Sequence, residues 1–243
     1  MRTQNVCSPL FKIFALVTSL AACLISANSM RAQDGFKSIF NGKDLSGWQG
    51  QDGLWRVEDG AIVGSTHGVT IENNTFLVYR KEEVGNFHLK LDFKLQGDSN
   101  SGIMYRAKDI EGLANGLSGP QLDIHPKEEY LGMYYSEKTG RGIVAQRGQK
   151  VLVPEELDAK GKSTPKITGK VGNDEGFNVF HWNEYEIIAV GNRLIHKING
   201  VITVDVNDRF PGADKEGLIG LQLHKGPAML AFAKNIQLKR LNG

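Results

Sequence analysis

Beyond residue 23 the chain has no cysteine; its only two thiols are Cys7 and Cys23. The long stretch that follows has no disulfide framework, no thiolate metal site and no cysteine nucleophile, so it must rest on a hydrophobic core. With 40% hydrophobic residues it can build one. The chain also has no excess of charge of one sign. Its 29 Lys and Arg stand against 27 Asp and Glu, a formal net charge of +2. The basic residues do not cluster, so there is no electrostatic footprint for nucleic acid and none is expected as a partner. Long apolar runs are missing too, with one exception. Arg2 and Lys12 precede an almost wholly apolar run from Ile13 to Ile25. It is too short and wrongly flanked for a membrane-spanning helix and reads as the apolar centre of a secretory signal.

Where that signal ends stands open. Ala27-Asn28-Ser29 offers small residues at the spacing of an ordinary signal peptidase, and Met30-Arg31-Ala32 before Gln33 is a poorer match. Leu20-Ala21-Ala22-Cys23 has the form of a bacterial lipobox, in which Cys23 becomes the lipidated first residue. Residues 1–32 are expected to be the leader and residues 33–243 one exported domain, periplasmic or extracellular. A membrane would be met only through a lipid anchor at Cys23.

Between Gly35 and Leu241 there is no convincing amphipathic helix. Short alternating runs separated by Gly, Asn and Asp take its place. Phe87, Leu89, Leu91, Phe93 and Leu95 share one face of a strand, and His88, Lys90, Asp92 and Lys94 share the other. That is the period-2 mark of a strand with one buried face. Trp55 to Glu58, a turn at Asp59-Gly60 and Ala61 to Val63 read as a hairpin. Tyr185 to Val190, Arg193 to Ile198 and Val201 to Val206 read as a meander, turned at Gly191-Asn192 and Asn199-Gly200. Ile219, Leu221 and Leu223, then Ile236 and Leu238, add two strands. Many short strands with Gly-rich turns predict an all-β, two-sheet antiparallel sandwich. The run from Val153 to Asn178, rich in Pro, Gly, Lys and Asp, reads as a long surface loop.

Chemistry must come from the polar sides of these strands. In Gly119 to His125, Leu122 and Ile124 point one way while Gln121, Asp123 and His125 point the other. The same alternation puts Gln222 and His224 together. His196 shares a face with Leu194 and Ile198, where a core histidine is the plain alternative. Ser101 to Arg106 offers Tyr105 on one face and Arg106 on the other. A solvated sheet face is the plain alternative for the first trio, but it contains no Lys, Glu or Thr. Asp98-Ser99-Asn100 hints at a calcium loop, although Gly102 stands where a ligand would be expected.

Phe40-Asn41-Gly42-Lys43-Asp44-Leu45-Ser46-Gly47-Trp48 resembles the opening signature of the 3-keto-disaccharide hydrolase domain family. Trp55 to Gly60, Asn100 to Ile103 with Tyr105-Arg106, Gln121-Leu122-Asp123, His196 to Gly200 and Gly220 to His224 agree in order. The resemblance spans nearly the whole domain. It implies a concanavalin A-like jelly roll whose inner sheet curves round a sugar-sized groove, and exported proteins that cleave oxidised glycosides. Two departures stand out. Many relatives carry a Glu in the segment that here reads Gly119-Pro120-Gln121, and the Phe-Arg-Asn-Ile run near their C-terminus here reads Phe232-Ala233-Lys234-Asn235-Ile236.

A keto group at C3 acidifies the hydrogen on C2, so a base can remove it, the C1 group leaves by elimination, and water adds afterwards. This needs a base, a stabiliser for the enediolate and an acid for the leaving oxygen. It does not need the paired carboxylates of an ordinary glycosidase, and the Glu-x-Asp-x-x-Glu strand of such enzymes on this fold is missing. On the implied chemistry, His125 or Asp123 serves as base and Arg106 steadies oxyanion charge. His224 or His196 is acid or metal ligand. Gln121, Tyr105, Gln222 and His196 contact the sugar. A divalent ion held by His and Asp to polarise the ketone stands open. The competing reading is a non-catalytic carbohydrate-binding module that stacks sugars on Trp48, Trp55, Trp182 or tyrosines.

Overall fold

The computed structural model describes residues 35–172 and 176–242. The segment expected to be a leader, with Cys7 and the candidate lipobox at Cys23, lies outside the described residues.

Among the described residues, seventeen strands follow one another with a single turn of 3-10 helix, Glu128–Tyr130. They are β1 Lys37–Ser38, β2 Trp48–Gln49, β3 Trp55–Glu58, β4 Ala61–Ser65, β5 Thr75–Val84, β6 Phe87–Gly97, β7 Ser101–Asp109 and β8 Leu117–Ile124. After the helical turn come β9 Tyr134–Glu137, β10 Gly142–Ala145, β11 Gln149–Val153, β12 Lys166–Lys170, β13 Asn183–Val190, β14 Arg193–Ile198, β15 Val201–Asp208, β16 Gly217–Leu223 and β17 Met229–Arg240. Ten strands form one sheet in the order β12-β11-β15-β14-β13-β6-β17-β4-β3, with β1 added beside β17. Seven form the other, β10-β9-β8-β7-β16-β5-β2. All pairs are antiparallel except β11 with β15. This is the two-sheet sandwich that the alternation predicts.

The core lies between the sheets, where period-2 patterning sends it. Phe87, Leu89, Leu91, Phe93 and Leu95 of β6 are buried in one cluster with Ile103 and Tyr105 of β7, Leu122 and Ile124 of β8, and Ile219, Leu221 and Leu223 of β16. The meander forms as read, because its turns suit their residues. Asn199 and Gly200 take φ of 49° and 80°, and Gly191 takes φ of 54°. Positive φ at those places gives the tight turns whose twist matches paired strands.

The stretch from Val153 to Asn178 is not wholly loop. Lys166–Lys170 is strand β12, paired with β11 at the margin of the sheet. Its residues are almost all exposed, so no buried face imprints an alternation on the sequence. Lysines at both ends suit an edge that must not pair further.

Candidate active site

In β8, burying Leu122 and Ile124 in the core turns Gln121 and Asp123 to the outer face of the seven-stranded sheet, and His125 follows just past the strand end. In β16, burying Leu221 and Leu223 turns Gln222 outward, with His224 next beyond it. β7 lies between β8 and β16. Its Gly102 pairs with Asp123. The two sets therefore meet across a glycine and line one groove of about 590 Å³ together with Asn74, Asn100, Tyr130, Tyr135 and Glu137.

The floor of that groove is a chain of amides ending on a carboxyl. Gln222 Nε2 donates to Gln121 Oε1 at 3.1 Å, and Gln121 Nε2 donates to Asp123 Oδ1 at 2.9 Å. Ser101 Oγ donates to the Gln222 carbonyl at 2.7 Å and fixes the strand beneath. Gln222 Oε1 is buried without a partner. Gly102 makes the arrangement fit: a Cβ there would fall 2.6 Å from Gln121 Cγ. Asp123 is 4% exposed. Burial raises its pKa to about 7; the Gln121 amide pulls it down, and the charge of Glu137 adds to the rise. At neutral pH this carboxyl is as much acid as base, as the chemistry of proton transfer favours.

The two rim histidines are locked in opposite tautomers by their backbone partners. The Lys127 N–H donates to His125 Nδ1 at 2.9 Å, so the neutral ring carries its proton on Nε2. The His224 Nδ1–H donates to the Lys225 carbonyl at 2.6 Å, so its Nε2 has a free lone pair. Both pKa values are lowered, chiefly by burial: the charge of Lys127 adds to this at His125, and at His224 the bond to the Lys225 carbonyl opposes it while the Lys225 charge adds to it. At neutral pH, His125 is thus a donor and His224 an acceptor.

The sequence reading missed Glu137. It ends β9, is only 6% exposed, and accepts from Asn74 Nδ2 at 3.3 Å. Asn74 is itself pinned at its other end, where its Oδ1 accepts from the Lys225 N–H at 3.0 Å. Burial raises the Glu137 pKa, while the Asn74 bond and Lys138 oppose it. The available signal was the alternation of Tyr135 and Glu137 with Tyr134, which is buried in the core.

Three expected site residues lie elsewhere. Arg106 sits in a bulge of β7 with φ of 47°, where the register shifts against both β8 and β16. The bulge turns its side chain from the groove. Its guanidinium donates to the Gly85 carbonyl (2.8 Å), the Gly191 carbonyl (2.9 Å) and Asn86 Oδ1 (3.4 Å), and the residue is 2% exposed. It clamps the β5–β6 turn to the β13–β14 turn and is no oxyanion donor. Tyr105 and His196 are both in the interior between the sheets. The Tyr105 hydroxyl donates to His196 Nε2 at 2.8 Å, and His196 Nδ1–H donates to the Gly132 carbonyl at 3.3 Å. Burial takes His196 to about 4. It is the core histidine of the plain alternative, and neither residue lines the groove. The tryptophans are no platform there either. Trp48 is buried with its Nε1–H donated to the Ile39 carbonyl, Trp55 packs against Gly50 and Gly64, and Trp182 stands on the ten-stranded sheet against Phe232. Tyr130 and Tyr135 are the aromatic walls. Among the described residues, no three of His, Cys, Asp and Glu gather closely enough to hold a metal ion.

Residues 35–239 match the family described as a 3-keto-alpha-glucoside-1,2-lyase-like domain. The chain is 22% identical over 233 residues to the 3-keto-disaccharide hydrolase of Bacteroides thetaiotaomicron, covering 86% of this chain and 79% of that one. Among solved structures, a protein of Parabacteroides distasonis provisionally described as a glycosyl hydrolase superposes with a TM-score of 0.58 at 22% identity, covering 86% of this chain and 95% of that one. The carbohydrate-binding module CBM66 of Bacillus subtilis gives a TM-score of 0.52 at 14% identity, covering 79% and 95%. At such identities the two structures show a shared fold.

Proposed function

This chain belongs to the 3-keto-alpha-glucoside-1,2-lyase-like domain family, and from that premise we propose that it cleaves 3-keto-glycosides by removing the proton on C2 and expelling the group on C1. The observation that carries the reading is a protonatable, buried Asp123 lining one groove with two histidines of opposite tautomer. His224 offers the Nε2 lone pair that takes the C2 proton. His125 offers the Nε2–H that steadies the charge spreading onto the sugar oxygens. Asp123, neutral up to about pH 7, gives its proton to the leaving oxygen. Gln121 and Gln222 hold that carboxyl in place. These roles differ from the sequence expectation, in which His125 or Asp123 was the base and His224 or His196 an acid or metal ligand. A neutral histidine whose Nδ1 already accepts a backbone N–H has no free lone pair, and one with a lowered pKa carries few protons to give at neutral pH.

The curated relative named 3-keto-disaccharide hydrolase supports this substrate class. With residues 1–32 read as a leader, the proposed place of action is outside the cytoplasm.

The test is aglycone release from a 3-keto-glucoside and from the plain glucoside. The expected outcome is turnover of the first alone, slowed by deuterium at C2. Asp123→Asn and His224→Ala should each lower the rate by about 10²- to 10⁴-fold. Full activity in both variants would sink the proposal. A sugar-binding module is the second reading, favoured by the partly exposed rings of Tyr130 and Tyr135 on the groove wall. It predicts binding of the plain glucoside with no turnover of either.

A further inference from the structure

Elimination alone leaves an unsaturated ketone. A net hydrolysis needs one more act, delivery of water to C1, and the three groups assigned above are each occupied. His224 holds the C2 proton, His125 faces the sugar oxygens, and Asp123 has just given its proton away. One titratable carboxyl lining the groove has no role so far.

Glu137 reaches the groove from β9, the strand beside β8. In the sheet order, β8, β7 and β16 lie between β9, which ends on Glu137, and β5, which Asn74 immediately precedes. Four strand intervals amount to about 19 Å along the sheet. Two side chains and one hydrogen bond do not span that distance flat, so the sheet must bend enough to bring Asn74 and Glu137 together at the groove that both line. Asn74 engages one Glu137 oxygen, Oε1, and is itself tied to the backbone beside His224. No side-chain hydrogen bond engages Oε2 in the described structure. Glu137 and Asp123 line the same groove, and the carboxylate's charge is felt at Asp123 on the floor.

We infer that Glu137, oriented by Asn74, activates the water that adds to C1 of the unsaturated ketone and so makes the overall reaction a hydrolysis. The inference rests on the elimination chemistry proposed above. In the first step the C2–H bond breaks and its proton goes to His224 Nε2. The C1–O bond breaks, its electron pair leaves on the aglycone oxygen, and that oxygen takes the Asp123 proton. A C1=C2 double bond forms, conjugated with the C3 ketone. In the second step water loses a proton to Glu137 as its oxygen bonds to C1. The displaced electrons return to C2, which takes the proton back from His224. Glu137 then passes its proton to Asp123, and all groups are restored.

The experiment reads product partition in place of rate. The conjugated ketone absorbs in the ultraviolet, and the hydrated keto-sugar does not share that band. Wild type should release aglycone with little of the absorbing species. Glu137→Gln should raise the absorbing fraction at least tenfold, whatever the change in overall rate. Glu137→Asp, which keeps a carboxylate, should stay near the wild-type ratio, and Asn74→Ala should fall between. A merely structural residue would slow both steps and leave the ratio alone. If Glu137→Gln, or Asn74→Ala should the former not fold, gives the wild-type ratio, Asp123 performs both proton transfers and the inference falls. If wild type releases no aglycone from any 3-keto-glycoside, the parent reading fails instead, a result distinct from an unchanged ratio.

Discussion

A single absent side chain governs where the Asp123 carboxyl is held. Gly102 leaves the space that Gln121 fills, and Gln121 holds the Asp123 carboxyl. Gly102→Ala should therefore displace Gln121 while keeping the strand. The expected outcome is a fall in kcat of about tenfold or more for the 3-keto substrate, consistent with the cost of a small misplacement of a catalytic group. Thermal melting should show a folded protein. Unchanged kcat would mean that the amide chain does not position the carboxyl. The same residue scale explains why histidine roles were not legible in the sequence. Alternation puts His125 and His224 on one face, but their tautomers are set by the N–H of Lys127 and the carbonyl of Lys225. Those contacts depend on how each chain turns after its strand.

At the scale of elements, the bulge in β7 is what separated expectation from structure. Period-2 reasoning puts Arg106 on the groove face, two residues from Met104. One residue at positive φ breaks that count, and Gly217 across from it makes room: a Cβ there would fall 2.5 Å from the Arg106 carbonyl carbon. The guanidinium then serves three acceptors in two turns. Arg106→Met should lower unfolding free energy by about 3 kcal/mol, the scale of losing charge-assisted hydrogen bonds to buried acceptors, measured by urea denaturation. Activity per folded molecule should change by less than about threefold, which an oxyanion role would contradict. The regular strands were readable because burial writes a period into them, as in β6 and in the β13–β14–β15 meander. The bulge and the exposed strand β12 were not, since neither leaves a periodic trace. Glu137 was hidden for a third reason: its importance comes from meeting Asn74 across the groove, and that pairing is fixed by sheet order.

For the whole molecule, two buried groups oppose each other in the pH dependence of stability. His196 is lowered to about 4 when folded. The unfolded chain binds that proton first as pH falls from about 6.5, so the contribution of His196 is present above 6.5 and lost toward pH 4. Asp123 is raised to about 7. The folded chain keeps a proton that the unfolded chain has lost, so its contribution is present at low pH and lost as pH rises toward 7. In wild type these two slopes offset one another between about pH 4 and 6.5. Asp123→Asn removes one of them. The gap in unfolding free energy between variant and wild type should widen in favour of the variant by roughly 3 kcal/mol from pH 5 to pH 8. Urea midpoints at the two pH values measure it, and a constant gap would show that Asp123 titrates normally.

The last strand, β17, lies in the middle of its sheet, between β6 and β4. Its Phe232 pairs with Lys94 and with Val63, residues more than a hundred positions earlier. Nothing made before residue 229 can bring those two strands together. On the ribosome the chain must therefore wait, its larger sheet split in two, until the final segment emerges. Such long-range closure is slow, and a chain cut short by about fifteen residues would present two raw strand edges where the native protein has none.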